Sequence, residues 1–191
     1  MNKGFVDSKE FNGIDFLQQS KLEFADYEYC TFINCNFSTL DLSDISFGEC
    51  EFEGCNLSNV QLNNTTLREI KFKNCKMLGV QFDKCNTLLF SIDFDTCQLN
   101  LSSFYKLELK NTKFSDCSLQ EVDFTESDLT NMNFVNCDLS RAFFENTVLR
   151  KADFRTAYNY SIDPELNQIV KAKFSLSEVK GLLDKFDIEI L

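Results

Sequence analysis

The chain has 191 residues, 30 acidic against 19 basic and no histidine, for a net charge of -11. That balance argues against a nucleic-acid-binding face or an anionic-membrane surface, and the missing imidazole removes Ser-His and Cys-His nucleophile pairs and every histidine metal site. No apolar run nears the roughly 18 residues of a membrane span, the N-terminus has no apolar signal stretch, and nine Cys without such a stretch point to free thiols in a reducing cytoplasm.

Residues 1–21 read as an N-terminal cap. Phe5, Phe11, Ile14 and Phe16 plug the first coil of a repeat array, and Gly13 and Asp15 read as a turn. From residue 22 a large apolar side chain recurs every five positions. The beat runs through Leu22, Tyr27, Phe32, Phe37, Leu42, Phe47 and Phe52 to Phe82, then from Phe94 to Phe154. Five matches neither the 3.6 of a helix nor the 2 of an ordinary strand. Two places before each large residue stands a small or β-branched one, such as Cys35, Ile45, Val60, Thr65, Val122 or Ala142. A polar residue, often Asp or Asn, separates the two. Each unit offers two inward and three outward side chains, and only stacked units can bury the inward pair.

A second period defines the cross-section. Steps of 20, with two extra residues at one slip, link Phe32, Phe52, Phe72, Phe94, Phe114, Phe134 and Phe154. The same step links Cys35, Cys55, Cys75, Cys97, Cys117 and Cys137. A period of 20 over a period of five gives four sides per coil. The expectation is an all-β, four-sided parallel β-helix of about seven coils over 22–157, about 34 Å long at the usual strand spacing. The slip, between Cys85 and Ile92, reads as a small bulge containing the apolar Leu88, Leu89 and Phe90.

Residues 158–191 read as a C-terminal cap. Ser175 and Glu178 fit a capping box, and Val179, Leu182, Leu183 and Phe186 share one face of a short helix. Asp187-Ile188-Glu189-Ile190-Leu191 alternates like a strand. Together they would cover the open edge of the last coil.

These units resemble the pentapeptide-repeat proteins, whose motif reads small, Asp/Asn, Leu/Phe, polar, polar. Cys137-Asp138-Leu139-Ser140-Arg141 and Ala152-Asp153-Phe154-Arg155-Thr156 are good local matches. The resemblance implies a right-handed quadrilateral β-helix. The C-terminal end is similar to that of the quinolone-resistance members, which pair tail to tail. That likeness implies a homodimer through Val179, Leu182, Leu183, Phe186, Ile188 and Ile190. It also implies DNA gyrase or topoisomerase IV as the partner, with a link to fluoroquinolone resistance.

The residues themselves favour a non-catalytic role. All nine Cys stand at the small inward position, where a free thiol acts as a small hydrophobe, so core filling outweighs metal or redox chemistry. The stacked Phe column fills a narrow core and leaves no pocket. A glycosidase pair needs a cleft that a convex wall does not offer. No catalytic residue, metal site or cofactor is expected. The acidic cluster Glu121, Asp123, Glu126 and Asp128 is the candidate partner-binding patch. Residues 22–157 carry 21 acids and 12 bases, one net charge per about 3.8 Å against about 1.7 Å for duplex DNA. The field is sparser than that of DNA, yet a rod of this charge could enter a basic groove as a DNA mimic. The competing reading is a scaffold for an unrelated cytoplasmic partner.

Overall fold

The computed structural model describes residues 3–18, 22–110, 112–186 and 188–189. Four walls repeat in chain order and are named here D, A, B and C. Their inward residues in one coil are Tyr27, Phe32, Phe37 and Leu42.

On wall D, strands Gly4–Asp7, Ala25–Glu28, Ser46–Gly48 and Thr66–Arg68 pair in parallel. On wall A the parallel sheet runs through Glu10–Asn12, Thr31–Ile33, Glu51–Glu53, Ile70–Lys73, Ile92–Asp95, Lys113–Ser115 and Phe134–Val135. Asp153–Phe154 and Lys173–Phe174 form a further parallel pair. Walls B and C are held mainly by single parallel bridges, such as Asn36 to Asn56 and Ser103 to Asp123. The result is an all-parallel β-solenoid. Its steps are 20 residues, as in Phe52 to Phe32, and 22 across the slip, as in Phe72 to Phe94.

The wall A phenylalanines stack ring on ring. The column extends one coil beyond the expected range at each end, from Phe11 through Phe32, Phe52, Phe72, Phe94, Phe114, Phe134 and Phe154 to Phe174. Successive centroids lie 4.7–5.7 Å apart with interplanar angles of 6–26°. The solenoid therefore makes about eight turns rather than seven. Wall C carries a shorter column, Phe82, Phe104, Phe124 and Phe144. The two columns interlock edge to face across the core, as at Phe104 and Phe114 (5.6 Å, 87°). Offset stacks and edge contacts are the two arrangements that the ring quadrupole favours.

Corners require a residue in the left-handed region. Phe37-Ser38-Thr39-Leu40 shows why: Leu40 N donates to Phe37 O (3.0 Å) and Thr39 adopts φ 63°. This is a type II turn, whose third residue needs positive φ. Asn34, Asp44, Asn59, Asn64, Asn74 and Asn136 occupy such corners, because Asn and Asp tolerate this region best after glycine.

The two extra residues at the slip leave the wall. Leu88 and Leu89 are exposed, Phe90 packs partly on the core, and Ile92 re-enters it. Ser91 N donates to Leu67 O and Ile70 N to Ser91 O, both at 3.0 Å, so the rungs close above and below the bulge.

The C-terminal helix differs from expectation. Residues 176–178 form a turn, followed by 3-10 segments Val179–Leu182 and Asp184–Phe186. Half of the capping box forms: Glu178 N donates to Ser175 Oγ at 3.3 Å. The Glu178 carboxylate instead accepts from Asn159 N at 3.2 Å. Gly181 O accepts from Ile162 N of the last coil (2.8 Å), so it is committed away from the residue four places on that an α-helix would need. A Cβ at Gly181 would collide with Tyr160 O, so glycine is needed for this approach. Ile188 and Glu189 form no strand. Asp187, Ile190 and Leu191, and with them the rest of the expected terminal strand, lie outside the described residues.

Phe114 stacks between Phe94 and Phe134 and meets Phe104 and Phe124 edge on. Phe114→Ala is expected to lower unfolding free energy by about 3–5 kcal/mol, measured by chemical denaturation. A near-neutral result would contradict the inward column.

Candidate functional site

Function must lie on the outside, because the inside is filled. The nine Cys are free and buried. Seven of the thiols donate to carbonyls one coil back, as Cys75 Sγ to Phe52 O (3.3 Å) and Cys55 Sγ to Phe32 O (3.3 Å). Burial pushes the Cys50 and Cys85 thiols up to about 12. For Cys97 and Cys137 the neighbouring Cys75 and Cys117 thiols raise the value further, with burial adding to it. These are inert side chains. Among the described residues no group of three or more His, Cys, Asp or Glu could hold a metal ion.

Outward residues on wall A alternate in sign from rung to rung. Lys71 bridges Glu51 (2.8 Å) and Lys73 bridges Glu53 (3.6 Å). Asp93 stands beside Lys71 and Lys113 on the neighbouring strands. Opposite charges across strands are mildly stabilising, and they leave this wall without a net field. Its shallow trough, floored by Phe52, Phe72 and Phe94, is rimmed by the paired Glu51, Glu53, Lys71 and Lys73, with Asp93 accepting from Lys113 N at 2.9 Å. On wall D, Arg68 gathers Glu28 (2.6 Å) and Glu49 (3.0 Å). The missing side chain of Gly48, between Glu28 and Arg68, makes room for that bridge.

The four predicted acids do not form one bare patch. Asp123 lies on wall C, while Glu121 (φ 56°) and Glu126 (φ 57°) occupy the corners on either side of it. Asp128 has turned onto wall D, bridged to Glu108. Glu121 pairs with Arg141. Glu126 pairs with Lys106 (3.4 Å) and accepts from the Tyr105 hydroxyl (3.1 Å). Asp128 pairs with Lys110 (3.0 Å). Burial draws the Asp128 carboxyl upward, but hydrogen bonds from Thr130 and the Lys110 ammonium outweigh it and hold it below the usual range. Asp123 accepts from Thr125 N (2.8 Å) and makes no ion pair with a described residue.

Wall C is nevertheless the acidic side. Asp41 faces outward there, closed in a local turn by Ser43 N (3.0 Å), and Asp44 follows at the corner. Glu145 lies one rung beyond Asp123, beside Glu126. Asp41, Asp44, Asp123 and Glu145 have no ion pair with a described residue, while Lys84 and Lys106 at the adjoining corner hold Asp83 and Glu126. Phe143, half exposed, and Tyr105 add aromatic surface to the same wall. Asp41, Asp44 and Glu145 escaped the sequence reading, although the step that aligns the core puts Asp41 in the column of Asp123, Asp44 in that of Glu126 and Glu145 in that of Asp83.

In the predicted dimer segment the apolar residues divide. Leu182 packs on the core, and Val179 and Leu183 are partly covered. Phe186 and Ile188 are exposed, and Leu176, earlier in the same segment, is 92% exposed. Ile190 lies outside the described residues.

Comparison with known proteins places this architecture. The sequence profile described as pentapeptide repeat region matches residues 25–104 and 80–154. No curated protein matches the chain. Among solved structures, HetL, a pentapeptide repeat protein involved in heterocyst differentiation regulation from the cyanobacterium Nostoc sp. strain PCC 7120, is similar at a TM-score of 0.63. It is 18% identical, over 91% of this chain and 87% of that one. QnrB1, a plasmid-mediated fluoroquinolone resistance protein, aligns in a trypsin-treated variant form at TM-score 0.48 and 16% identity, over 98% of this chain and 100% of that one.

The native thiols should resist labelling at neutral pH and all react after unfolding, counted with a chromogenic thiol reagent. Unfolded thiols lose their protons near their ordinary 9.0, whereas the folded Cys50 and Cys85 keep theirs to about 12. Their stabilising contribution is complete below pH 9 and lost as pH rises towards 12. Denaturation midpoints measured against pH should fall over that window.

Proposed function

The chain belongs to the pentapeptide-repeat family, and on that premise we propose that it is a non-catalytic rod that binds a protein partner through acidic wall C. One observation carries this reading: Asp41, Asp44, Asp123 and Glu145 lie on one wall without an ion pair to any described residue, whereas the charges of wall A cancel. A one-sided negative field steers a rod onto a basic groove and fixes which side enters it. The partner proposed is DNA gyrase or topoisomerase IV, whose DNA-binding groove is basic, and the rod acts there in the cytoplasm as a partial duplex mimic. Relief of fluoroquinolone action would follow from occupation of that groove.

Two copies joined at their C-terminal ends would present two such walls. The exposed Leu176, Phe186 and Ile188 supply an apolar surface for that contact. A scaffold for an unrelated partner is the competing reading. It is favoured by the ion pairs that occupy Glu121, Glu126 and Asp128.

Titration of purified protein into gyrase supercoiling and ciprofloxacin-stabilised cleavage reactions tests the proposal. Inhibition or rescue at about micromolar protein is expected, a range in which binding supplies roughly 8 kcal/mol. Combined Asp41→Asn, Asp44→Asn, Asp123→Asn and Glu145→Gln should abolish it with the melting temperature unchanged. No effect of the unaltered protein at large excess would overturn the topoisomerase reading. By light scattering the protein should be a dimer, and Leu176→Glu with Phe186→Glu should make it a monomer. A monomeric starting protein would remove the tail-to-tail contact.

A further inference from the structure

Charge changes sign near the C-terminal end of the rod. Residues 150–174 hold the cations Arg150, Lys151, Arg155, Lys171 and Lys173 against the carboxylates Asp153, Asp163 and Glu165, in a chain of net charge -11. Lys185 holds Asp163 (2.8 Å) and Glu165 (2.7 Å). That leaves Asp153 alone among five exposed cations where wall D turns into wall A, and Arg155 (2.8 Å) and Lys173 (3.5 Å) both converge on it.

Lys151, Lys171 and Arg150 differ from these. None makes an ion pair with a described residue, and Arg150 Nε donates only to Gln168 Oε1 (3.1 Å). Lys151 and Lys171 hold the same left-handed corner on successive rungs, φ 59° and 61°. Lys151 N donates to Val170 O (3.0 Å). Rung spacing sets their backbones about 4.8 Å apart. Like charges on adjacent strands repel, and along wall A the neighbouring rung supplies the opposite sign to Lys71 and Lys73. Here no described residue supplies that compensation. Val170, 63% exposed, adds an apolar spot beside Arg150 and between the two lysines.

The size of the patch selects its ligand. It is about two rungs tall, on the order of 10 Å. A duplex phosphate backbone would run past it onto a rod that is negative elsewhere, within the Debye length of about 8 Å. A short carboxylate-bearing segment ends inside it. We propose that the Arg150, Lys151 and Lys171 corner binds a short acidic peptide segment of a partner protein, with an apolar residue of that segment against Val170. This site does not border wall C and has the opposite sign, so it stands independently of the topoisomerase reading.

The probe is a short fluorescent peptide of glutamates flanking two leucines, titrated by anisotropy at low salt against the full chain. Binding is expected, weakened at least about tenfold by Lys151→Glu with Lys171→Glu, a charge reversal at the contact. Val170→Ser should weaken it less, and Lys71→Glu with Lys73→Glu should leave it unchanged. Circular dichroism melts identify any variant that fails to fold, and Lys151→Ala with Lys171→Ala then replaces the reversal. Absence of binding, indifference to the corner variants, or equal loss in the wall A variant would overturn the proposal. Tighter binding of a short DNA duplex than of the peptide would overturn it too, assigning the corner to phosphate.

Discussion

A single coil of this chain cannot bury its own inward side chains; only the next coil can cover them. Every inward position is therefore judged against the residue one coil away, and flat rings satisfy that demand well. Phe52 lies 4.7 Å from Phe32 and 5.1 Å from Phe72, so one ring is capped on both faces. Thiols at the small position fit the same constraint, compact enough for a crowded corner and able to donate to a carbonyl of the preceding coil, as Cys75 does. A densely packed interior of this kind has no room for a ligand. Whatever the protein does is confined to outward residues and to its two ends.

Outside, the same stacking governs charge. Residues one coil apart are neighbours, so many of the ion pairs join adjacent rungs. Lys71 with Glu51, Lys106 with Glu126 and Arg141 with Glu121 are all such pairs. Each exposed pair is worth little to stability, about 0–1 kcal/mol. Its larger effect is on the field, which it cancels locally. Net charge is then a poor guide to the surface, because what reaches a partner is the set left uncompensated, which includes the acids of wall C and the cations at the corner of Lys151 and Lys171.

Much of the fold was legible in the sequence because period five and period 20 are geometric statements. The columns through Phe32 to Phe154, the inward Cys and the bulge near Leu88 all followed from them. Phe11 was not placed on the column because the first step is 21 residues, as its pairing with Phe32 shows. The last coil was hidden by its chemistry. Asn167 occupies a small inward position there, a polar residue made tolerable because its Nδ2 donates to Phe144 O (2.7 Å) and its Oδ1 accepts from Thr147 N (2.9 Å). The C-terminal helix failed as a local prediction because Gly181 O is taken by the coil beneath it. Of the acidic site, the residue types were visible and the pairing was overlooked. Arg141 follows Glu121 by 20 and Glu126 follows Lys106 by 20, so the step that aligned the core also carried the cancellation.

The most direct test of a rod recognised through its uncompensated wall is the salt dependence of its affinity for gyrase. Screening shortens the reach of exposed charges from about 10 Å at 0.1 M to about 3 Å at 1 M ionic strength. Affinity that falls steadily as salt rises, with the wall C variant showing a flatter dependence, is the predicted result. Affinity independent of salt, or a variant with the same slope as the unaltered protein, would contradict the account and move recognition to the apolar surface.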